Sequence, residues 1–357
     1  MKKIIFVCIA IVAFISWVFL QRGSSNLTVN NTNSNFKNEN PQEKETFVFV
    51  PYWTFNESLE VDDYDSVIYF GLTINNDGID RSEEGYAKLN SFVNLIPEGK
   101  KKYLTLRIIG DVANDEILDN DSLQIKISKE ISQIAVESKF DGVVVDFETS
   151  AFGFLSKEEK ITNLYKNLSK EIKNSNLELI STVFGDTYYR GRPYNVTEIS
   201  NFSDKLIIMS YDFHKARLNP GPNFPFSDKA LYGYDFKTMI NDFSRDTPHE
   251  KIVVALGYFG YDWKLGKDGV SVGLAEPLSL GEIESKFINN CSFKNCKKIT
   301  NNDYESVIRY EDNEGFFHEV WFEDTHSAEK KIEFLNSIGI NQIAFWAYSY
   351  YLGGAGM

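Results

Sequence analysis

The sequence predicts an α/β protein, a (β/α)8 TIM barrel with a subdomain inserted between its seventh and eighth strands. Eight short apolar segments alternate with segments of helical periodicity, and one connection is far longer than the others. Such alternation is typical of parallel sheets built from βαβ units, and eight units close a barrel. The 357 residues accommodate a barrel of about 250 residues together with its appendages.

The predicted barrel strands are segments rich in β-branched and aromatic residues. They are 47–53, 66–72, 102–109, 140–148, 177–184, 205–212, 251–260 and 341–349. Between two of them, residues 121–138 carry apolar side chains at a spacing of about 3.6 residues, which predicts an amphipathic helix. Ser156, followed by Glu159, predicts the capped start of the next helix.

The connection between the seventh and eighth strands is about eighty residues long, where an ordinary connection is much shorter. We therefore predict an inserted subdomain at about 264–318. Cys291 and Cys296 lie within it. In an oxidising compartment such a pair can form a disulfide or remain free, and the spacing alone leaves both alternatives open.

The N-terminus carries a targeting signal, since two lysines precede the apolar run 4–20. A run of this length inserts into a membrane, and the missing small-residue cleavage site favours an uncleaved anchor over a signal peptide. Residues 1–22 are therefore predicted to be a membrane anchor, with the rest of the chain outside the cytoplasm, or secreted if the segment is cleaved. Residues 23–45 are rich in Asn and Ser and predict a flexible linker, which leaves 46–357 for the barrel.

The composition excludes several classes of partner. A net charge of −14 disfavours nucleic acid, because a repelled polyanion gains no affinity from counterion release. Three Cys and four His, scattered along the chain, do not form the spacing of a metal site. We expect a monomer without metal or cofactor that binds a neutral or weakly charged ligand.

Two carboxylic acids end the apolar segment 140–148. Side chains alternate across a strand, so Asp146 and Glu148 share one face with Val144. The acids also lie at the C-terminal end of the strand, where active sites of barrel enzymes are found. The pattern predicts a catalytic pair that points into the mouth of the barrel.

This segment resembles the fourth-strand signature of glycoside hydrolase family 18, D-G-x-D-x-D-x-E, through Asp141, Gly142, Asp146 and Glu148. The resemblance extends from about residue 47 to residue 351. Its other motifs are MSYD at 209–212, Trp346 at the end of the eighth strand, GYFGYDW at 257–263 and HEVWFED at 318–324. The last two are similar to family members that act on bacterial cell walls or spore coats. The resemblance implies a TIM barrel whose insertion is a small α+β subdomain.

The resemblance also implies a mechanism in which the substrate assists. Glu148 would be the general acid, the 2-acetamido group of the sugar the nucleophile, Asp146 the acceptor of the acetamido N–H, and Tyr211 a donor to the acetamido oxygen. The implied substrate is a β-linked polysaccharide that contains N-acetylglucosamine, either peptidoglycan or chitin-like. The residues expected to bind the sugar are Asp212, Trp346, Met209, Trp53 and Tyr52.

Two departures from the family pattern stand out. Val144 replaces the acid that shares a proton with the next Asp in the signature, so Asp146 lacks that partner. Segment 107–111, RIIGD, stands where many members carry S-x-G-G. The first departure predicts reduced activity, and the second, in which only Gly110 agrees with the family pattern, leaves the identity of the substrate open.

Other functions stay open at this stage. A carbohydrate-binding, lectin-like barrel is the main alternative, although such proteins usually lose the general acid and Glu148 is present. An ordinary chitinase or an endo-glycosidase that acts on N-glycans is disfavoured by Phe147 and Thr149, because many chitinases carry Trp and Tyr there. The aromatic residues assigned to the sugar can instead be core residues of the barrel.

Overall fold

The computed structural model describes residues 44–54, 56, 58–149, 155–301 and 304–350. The predicted anchor at 1–22 and linker residues 23–43 lie outside this range. Glu45, assigned to the linker from the sequence, is the first residue of a strand. Across the described ranges, no helix has both the length and the apolar character needed to span a membrane.

The described chain contains fourteen strands, and each of the eight predicted barrel strands corresponds to one of them. The strands are β1 Glu45–Pro51, β2 Ser66–Asn75, β3 Gly78–Ile79, β4 Lys101–Ile109, β5 Gly142–Glu148, β6 Glu178–Phe184, β7 Lys205–Met209, β8 Ile252–Gly257, β9 Phe259–Leu265, β10 Glu276–Ser279, β11 Lys294–Thr300, β12 Ser306–Glu311, β13 Phe317–Phe322 and β14 Gln342–Trp346.

Eight parallel strands close the barrel in the order β1-β2-β4-β5-β6-β7-β8-β14, with β14 paired back to β1. β3 is a short antiparallel addition to the end of β2. The predicted (β/α)8 TIM barrel is therefore confirmed. Because all eight strands are parallel, their C-terminal ends meet at one face of the barrel.

Helices connect successive strands. The α-helices are Glu84–Leu95, Asp111–Leu118, Asp121–Glu137, Leu155–Asn174, Thr187–Arg190, Val196–Phe202, Lys229–Tyr232, Phe236–Asp246, Leu280–Ile283 and Thr325–Ser337. Shorter 3-10 turns lie at His249–Lys251 and Tyr348–Tyr350, and a π-helical turn at Glu284–Ile288.

The helix predicted at 121–138 is confirmed as Asp121–Glu137, and the side chain of Asn120 caps it by accepting the N–H of Leu123 at 3.0 Å. The predicted cap at Ser156 is wrong. The helix already includes Leu155, so Ser156 is a helical residue and not the residue that precedes the first turn.

Alternation along the barrel strands produces two apolar layers. Inward-facing side chains fill the barrel, and outward-facing side chains pack against the helices. Val144 belongs to the inner layer and is fully buried. The other members of the inner layer are Phe47, Phe49, Ile68, Phe70, Tyr103, Ile180, Ile207, Val253, Ala255 and Ala344.

The insertion between β8 and β14 is built on a five-stranded antiparallel sheet in the order β10-β9-β13-β12-β11. Its strands start at Phe259 and end at Phe322, beyond both ends of the interval 264–318. The apolar segment 251–260 looks like one strand in sequence, but the chain leaves the barrel after Gly257 and turns into β9. A disulfide joins Cys291 to Cys296 within this subdomain.

A fully buried ionic cluster links the insertion to the last helix, Thr325–Ser337. The Lys331 ammonium group pairs with Glu323, lies 3.5 Å from Glu305, and donates a hydrogen bond to the Phe224 carbonyl at 2.7 Å. Burial raises the pKa of Glu305 to about 8. Loss of one partner from a buried ion pair costs about 3–5 kcal/mol, because the remaining charge stays uncompensated. Removal of one member of the cluster would therefore destabilise the junction between the two parts.

Candidate active site

A cavity of about 470 Å³ opens at the C-terminal ends of the barrel strands. Seven of the eight residues assigned to the site from the sequence line it. They are Asp146, Glu148, Met209, Tyr211, Asp212, Trp346 and Trp53. They come from four different strand ends or the turns that follow them, and the closure of the barrel brings them together.

Asp146 lies deep in the cavity, with only 2% of its surface exposed. Its carboxylate accepts a hydrogen bond of 2.6 Å from the Thr182 hydroxyl on the neighbouring strand β6. Burial raises the pKa of Asp146 to about 6, while the Thr182 hydroxyl and the charge of Arg107 act in the opposite direction. Asp146 is therefore ionised for the most part at neutral pH.

Glu148 lies two residues further along the same face. Burial, and then the nearby charge of Asp146, raise the pKa of Glu148 to about 8, with Lys215 acting against the shift. Glu148 is therefore mostly protonated at neutral pH. The site holds one ionised and one protonated carboxyl group side by side, which is the arrangement needed for general acid catalysis near pH 7.

Tyr211 and Met209 follow from the same alternation on and after β7. The Tyr211 ring packs edge to face against Phe259, with 5.7 Å between centroids. Burial raises the pKa of Tyr211 well above its usual value, so its hydroxyl remains a neutral hydrogen-bond donor. Met209 is buried beside it in the cavity wall.

Asp212 has a left-handed backbone, with φ of 61°, a conformation that is uncommon outside glycine. The surrounding hydrogen bonds hold it there. Its N–H donates to the Asn223 side chain at 2.8 Å, and its carboxylate accepts from the Tyr261 hydroxyl at 2.7 Å. Backbone strain of this kind occurs mainly at functional sites, where neighbouring contacts maintain it.

Two tryptophans supply apolar surface. Trp346 packs between Phe49 and Phe70 at centroid distances of 5.5 and 4.7 Å. Trp53 is 46% exposed at the rim, with its edge against Phe70. Flat, partly exposed rings of this kind suit the apolar face of a sugar.

Tyr52 is the one assigned residue that does not line the cavity. It shares the outward face of β1 with Val48 and Val50 and packs in the layer between the barrel and the helices. The strand alternation that places Phe49 inside the barrel therefore keeps Tyr52 out of the cavity lining. Its ring meets that of Trp53 edge to face and lies 5.7 Å from the guanidinium carbon of Arg107.

Several lining residues were not found from the sequence. Arg107 and Thr182 lie on the strands that flank β5, and Arg107 stands directly opposite Asp146 in the strand register. Their position near strand ends was a usable signal. Tyr261 and Phe259 come from the insertion, and no local pattern indicates which inserted residues return to the cavity. His214, the histidine next to the MSYD motif, is partly buried with its Nδ1 2.8 Å from the Pro222 carbonyl oxygen and does not line the cavity.

Comparison with known proteins agrees with this geometry. The sequence profile described as "Glycosyl hydrolases family 18" matches residues 30–350. The chain belongs to glycoside hydrolase family 18. The described residues contain no cluster of three or more His, Cys, Asp or Glu side chains that could hold a metal ion.

Relatives within family 18 are distant. The chain is 23% identical over 257 residues to Di-N-acetylchitobiase of Mus musculus, which covers 66% of this chain and 68% of the relative. It is 22% identical over 304 residues to the Cortical fragment-lytic enzyme of Bacillus cereus, with coverage of 78% and 63%. Across the curated relatives that it matches, the chain spans between 33% and 68% of their length.

Among solved family 18 structures, catalytic domain 2 of the Group II chitinase from Ostrinia furnacalis superimposes with a TM-score of 0.74 at 17% identity. The match covers 86% of this chain and 90% of that domain. At this identity the likeness demonstrates the shared fold. The family's signature strand is β5, and its one mismatch, Val144, lies in the apolar interior directly beneath the acids.

Proposed function

We propose that this protein hydrolyses β-linked polysaccharides containing N-acetylglucosamine, peptidoglycan or chitin-like, with retention of configuration and with assistance from the substrate. The observation that carries the proposal is the pairing of Asp146 with Glu148. One group is ionised and hydrogen-bonded to Thr182, the other is protonated, and both face a cavity with an aromatic wall.

The first step follows from these protonation states. Glu148 gives its proton to the glycosidic oxygen as the bond from that oxygen to the anomeric carbon breaks. The carbonyl oxygen of the sugar's own 2-acetamido group attacks the anomeric carbon and closes an oxazolinium ring. The carboxylate of Asp146 accepts a hydrogen bond from the acetamido N–H and offsets the positive charge that develops. The Tyr211 hydroxyl donates a hydrogen bond that orients the acetamido oxygen.

The second step uses the same groups in reverse. Glu148, now ionised, takes a proton from water as the water oxygen bonds to the anomeric carbon and the oxazolinium ring opens. Two displacements at one carbon restore the original configuration. Trp346 and Trp53 supply apolar surfaces for the sugar rings, and the Asp212 carboxylate accepts a hydrogen bond from a sugar hydroxyl.

A second candidate is a carbohydrate-binding protein that does not hydrolyse its ligand. Val144 favours it, because the inner layer beneath Asp146 is apolar and offers that residue no carboxyl neighbour with which to share a proton. The first candidate explains more of the site, since Glu148 is retained in a protonated state.

The proposed activity lies outside the cytoplasm. The disulfide between Cys291 and Cys296 supports this location, because such bonds persist in oxidising compartments. A labelling reagent that does not cross membranes should modify the protein on intact cells. Labelling that requires cell lysis would contradict the location.

The substitution Glu148→Gln tests the activity. It keeps the shape of the side chain and removes the proton that it transfers, so kcat on chitin oligosaccharides and purified peptidoglycan should fall by about 10²–10⁴-fold while the protein remains folded. Glu98→Gln, an exposed loop position, is the matched control. Product masses identify the bond that is cut. If Glu148→Gln retains more than about a tenth of the wild-type kcat, Glu148 is not the general acid.

A further inference from the structure

Arg107 is a cationic side chain that lines the cavity, and part of its hydrogen-bonding capacity is unused. Its Nε and Nη1 atoms are buried and have no hydrogen-bond partner in the described part of the chain. The guanidinium group lies over the ring of Phe70, 5.1 Å from its centroid, and 5.7 Å from the ring centroids of Tyr52 and Trp53. The rings surround the group on the side of Tyr52, Trp53 and Phe70, and aromatic faces offer no strong acceptor to these two nitrogen atoms.

Other arginines near this end of the barrel are paired. Arg190 and Arg192 both bind the Asp186 carboxylate, each through a contact of 2.5 Å. Lys215, the other cation that lines the cavity, has Asp212 at 3.7 Å. A buried donor without a partner costs free energy, and a charged donor costs more, so a ligand that supplies the acceptor gains that difference.

We propose that Arg107 binds a carboxylate of the substrate. This carboxylate belongs to a substituent on O3, the oxygen of the ring carbon next to the one that bears the acetamido group. This inference rests on the proposed function for the placement of the sugar. Asp146 and Tyr211 hold the acetamido group on C2 in that function, and Arg107 stands opposite Asp146 on the adjacent strand. A substituent on O3, the neighbouring position of the ring, therefore lies beside Arg107.

The chemistry of the group favours a carboxylate over other substituents. A planar guanidinium matches a carboxylate through two parallel hydrogen bonds. Because ionised Asp146 is close by, a single negative charge is tolerated better than the double charge of a phosphate monoester. An N-acetylated hexosamine with a carboxyalkyl ether on O3 satisfies these requirements, and it is the acidic sugar of peptidoglycan. Chitin has only a hydroxyl at that position.

The proposal also defines the reaction that must supply the substrate. In intact peptidoglycan the ether carboxyl is bound in an amide to the stem peptide and carries no charge. Hydrolysis of that amide releases the carboxylate that Arg107 binds. The protein therefore acts on glycan strands from which an amidase has removed the peptides, in preference to strands that still carry them.

Two matched substrates test the proposal on the full chain. One is peptidoglycan glycan with its peptides removed and its carboxylates free, and the other is the same glycan with those carboxylates reduced to primary alcohols. The wild type should cleave the acidic form with the higher kcat/KM. Arg107→Met should lower kcat/KM for the acidic form by about 10- to 100-fold, the range expected for the loss of a hydrogen bond to a charged group.

With each variant assayed at its own pH optimum, Arg107→Met should lower kcat/KM for the reduced form by much less than for the acidic form, because the neutral substituent does not use the charge. The preference of the wild type for the acidic form should therefore be lost. Arg107→Lys should lie between the two, since it keeps the charge and loses the planar fork. Arg245→Met removes an arginine from a surface ion pair with Asp242 and should leave both rates unchanged.

Calorimetric binding of the two glycans to Glu148→Gln separates this proposal from the proposed function. If the wild type cleaves neither glycan, but the acidic form binds Glu148→Gln more tightly and Arg107→Met in the same background abolishes that difference, the hydrolase fails and the carboxylate site stands. Equal binding and equal cleavage of both forms by the wild type overturn the carboxylate site and leave the hydrolase intact. If Arg107→Met does not fold, the comparison of Arg107→Lys with the wild type decides.

Discussion

The substitution Thr182→Val removes the hydroxyl that donates to Asp146 at 2.6 Å and keeps the size of the side chain. A hydrogen bond to a charged group is worth about 1.5–3 kcal/mol, and one pKa unit corresponds to 1.36 kcal/mol. The donor favours the ionised form of Asp146, so its loss should raise the pKa of Asp146 by about one to two units. The starting value is about 6.

The direction of the effect on activity follows from the proposed roles. Asp146 must be ionised, which holds above its pKa of about 6, and Glu148 must be protonated, which holds below its pKa of about 8. The wild type should therefore show a bell-shaped profile of kcat/KM against pH, with a maximum near pH 7. In Thr182→Val the acidic limb should move up towards the alkaline limb. Activity at pH 6.5 should then fall by about 3- to 25-fold, the change in the ionised fraction for that shift.

The assay is the pH dependence of kcat/KM on a chitin oligosaccharide, with circular dichroism at each pH to confirm folding. Thr182→Ser keeps a hydroxyl at the same position and should restore the acidic limb to within about half a unit of the wild type. An acidic limb that does not move in folded Thr182→Val would show that the ionisation of Asp146 does not limit the reaction.

Two further predictions concern the same pair of acids. Val144→Asp places a carboxyl group in the apolar inner layer, so it should lower the free energy of unfolding by about 2–4 kcal/mol. The same carboxyl group gives Asp146 a neighbour with which to share a proton, so it should raise activity or shift the pH optimum. Thermal unfolding measures the first effect and the pH–rate profile the second, and an unchanged profile in a folded variant refutes the second. A thiazoline that mimics the cyclised intermediate should inhibit competitively, because active sites bind transition-state mimics best. Asp146→Ala should weaken that inhibition. If the thiazoline does not inhibit cleavage, the acetamido group does not take part in the reaction.

The parts of the fold set by local periodicity could be predicted from the sequence. The eight barrel strands, the helix Asp121–Glu137 and the shared face of Asp146 and Glu148 follow from alternation and helical spacing, which neighbouring residues determine. The point where the chain leaves the barrel could not be predicted, because 251–260 is apolar throughout and only the pairing partners divide it at Gly257.

The site was predictable to the same extent. Residues on strand ends were found because chain order places them at one face of the barrel. Tyr52 does not line the cavity, because the alternation of β1 continues past Pro51 and turns this side chain outward, which the sequence alone does not reveal. Tyr261 reaches Asp212 from 49 positions away in sequence, and no local signal encodes that contact.

The connection between the insertion and the barrel restricts how this protein can be engineered. Excision of the insertion to widen the cleft would take away the Tyr261 hydroxyl that holds Asp212, and it would also remove Glu305 from the buried Lys331 ammonium group. A shortened barrel would therefore need a new donor for Asp212 and a polar group in place of Glu305 beside the remaining pair of Lys331 and Glu323 before it could fold with a usable cleft. Exchange of whole insertions between relatives is the more practical route to altered specificity, provided that each graft carries its own partners for that lysine and that aspartate.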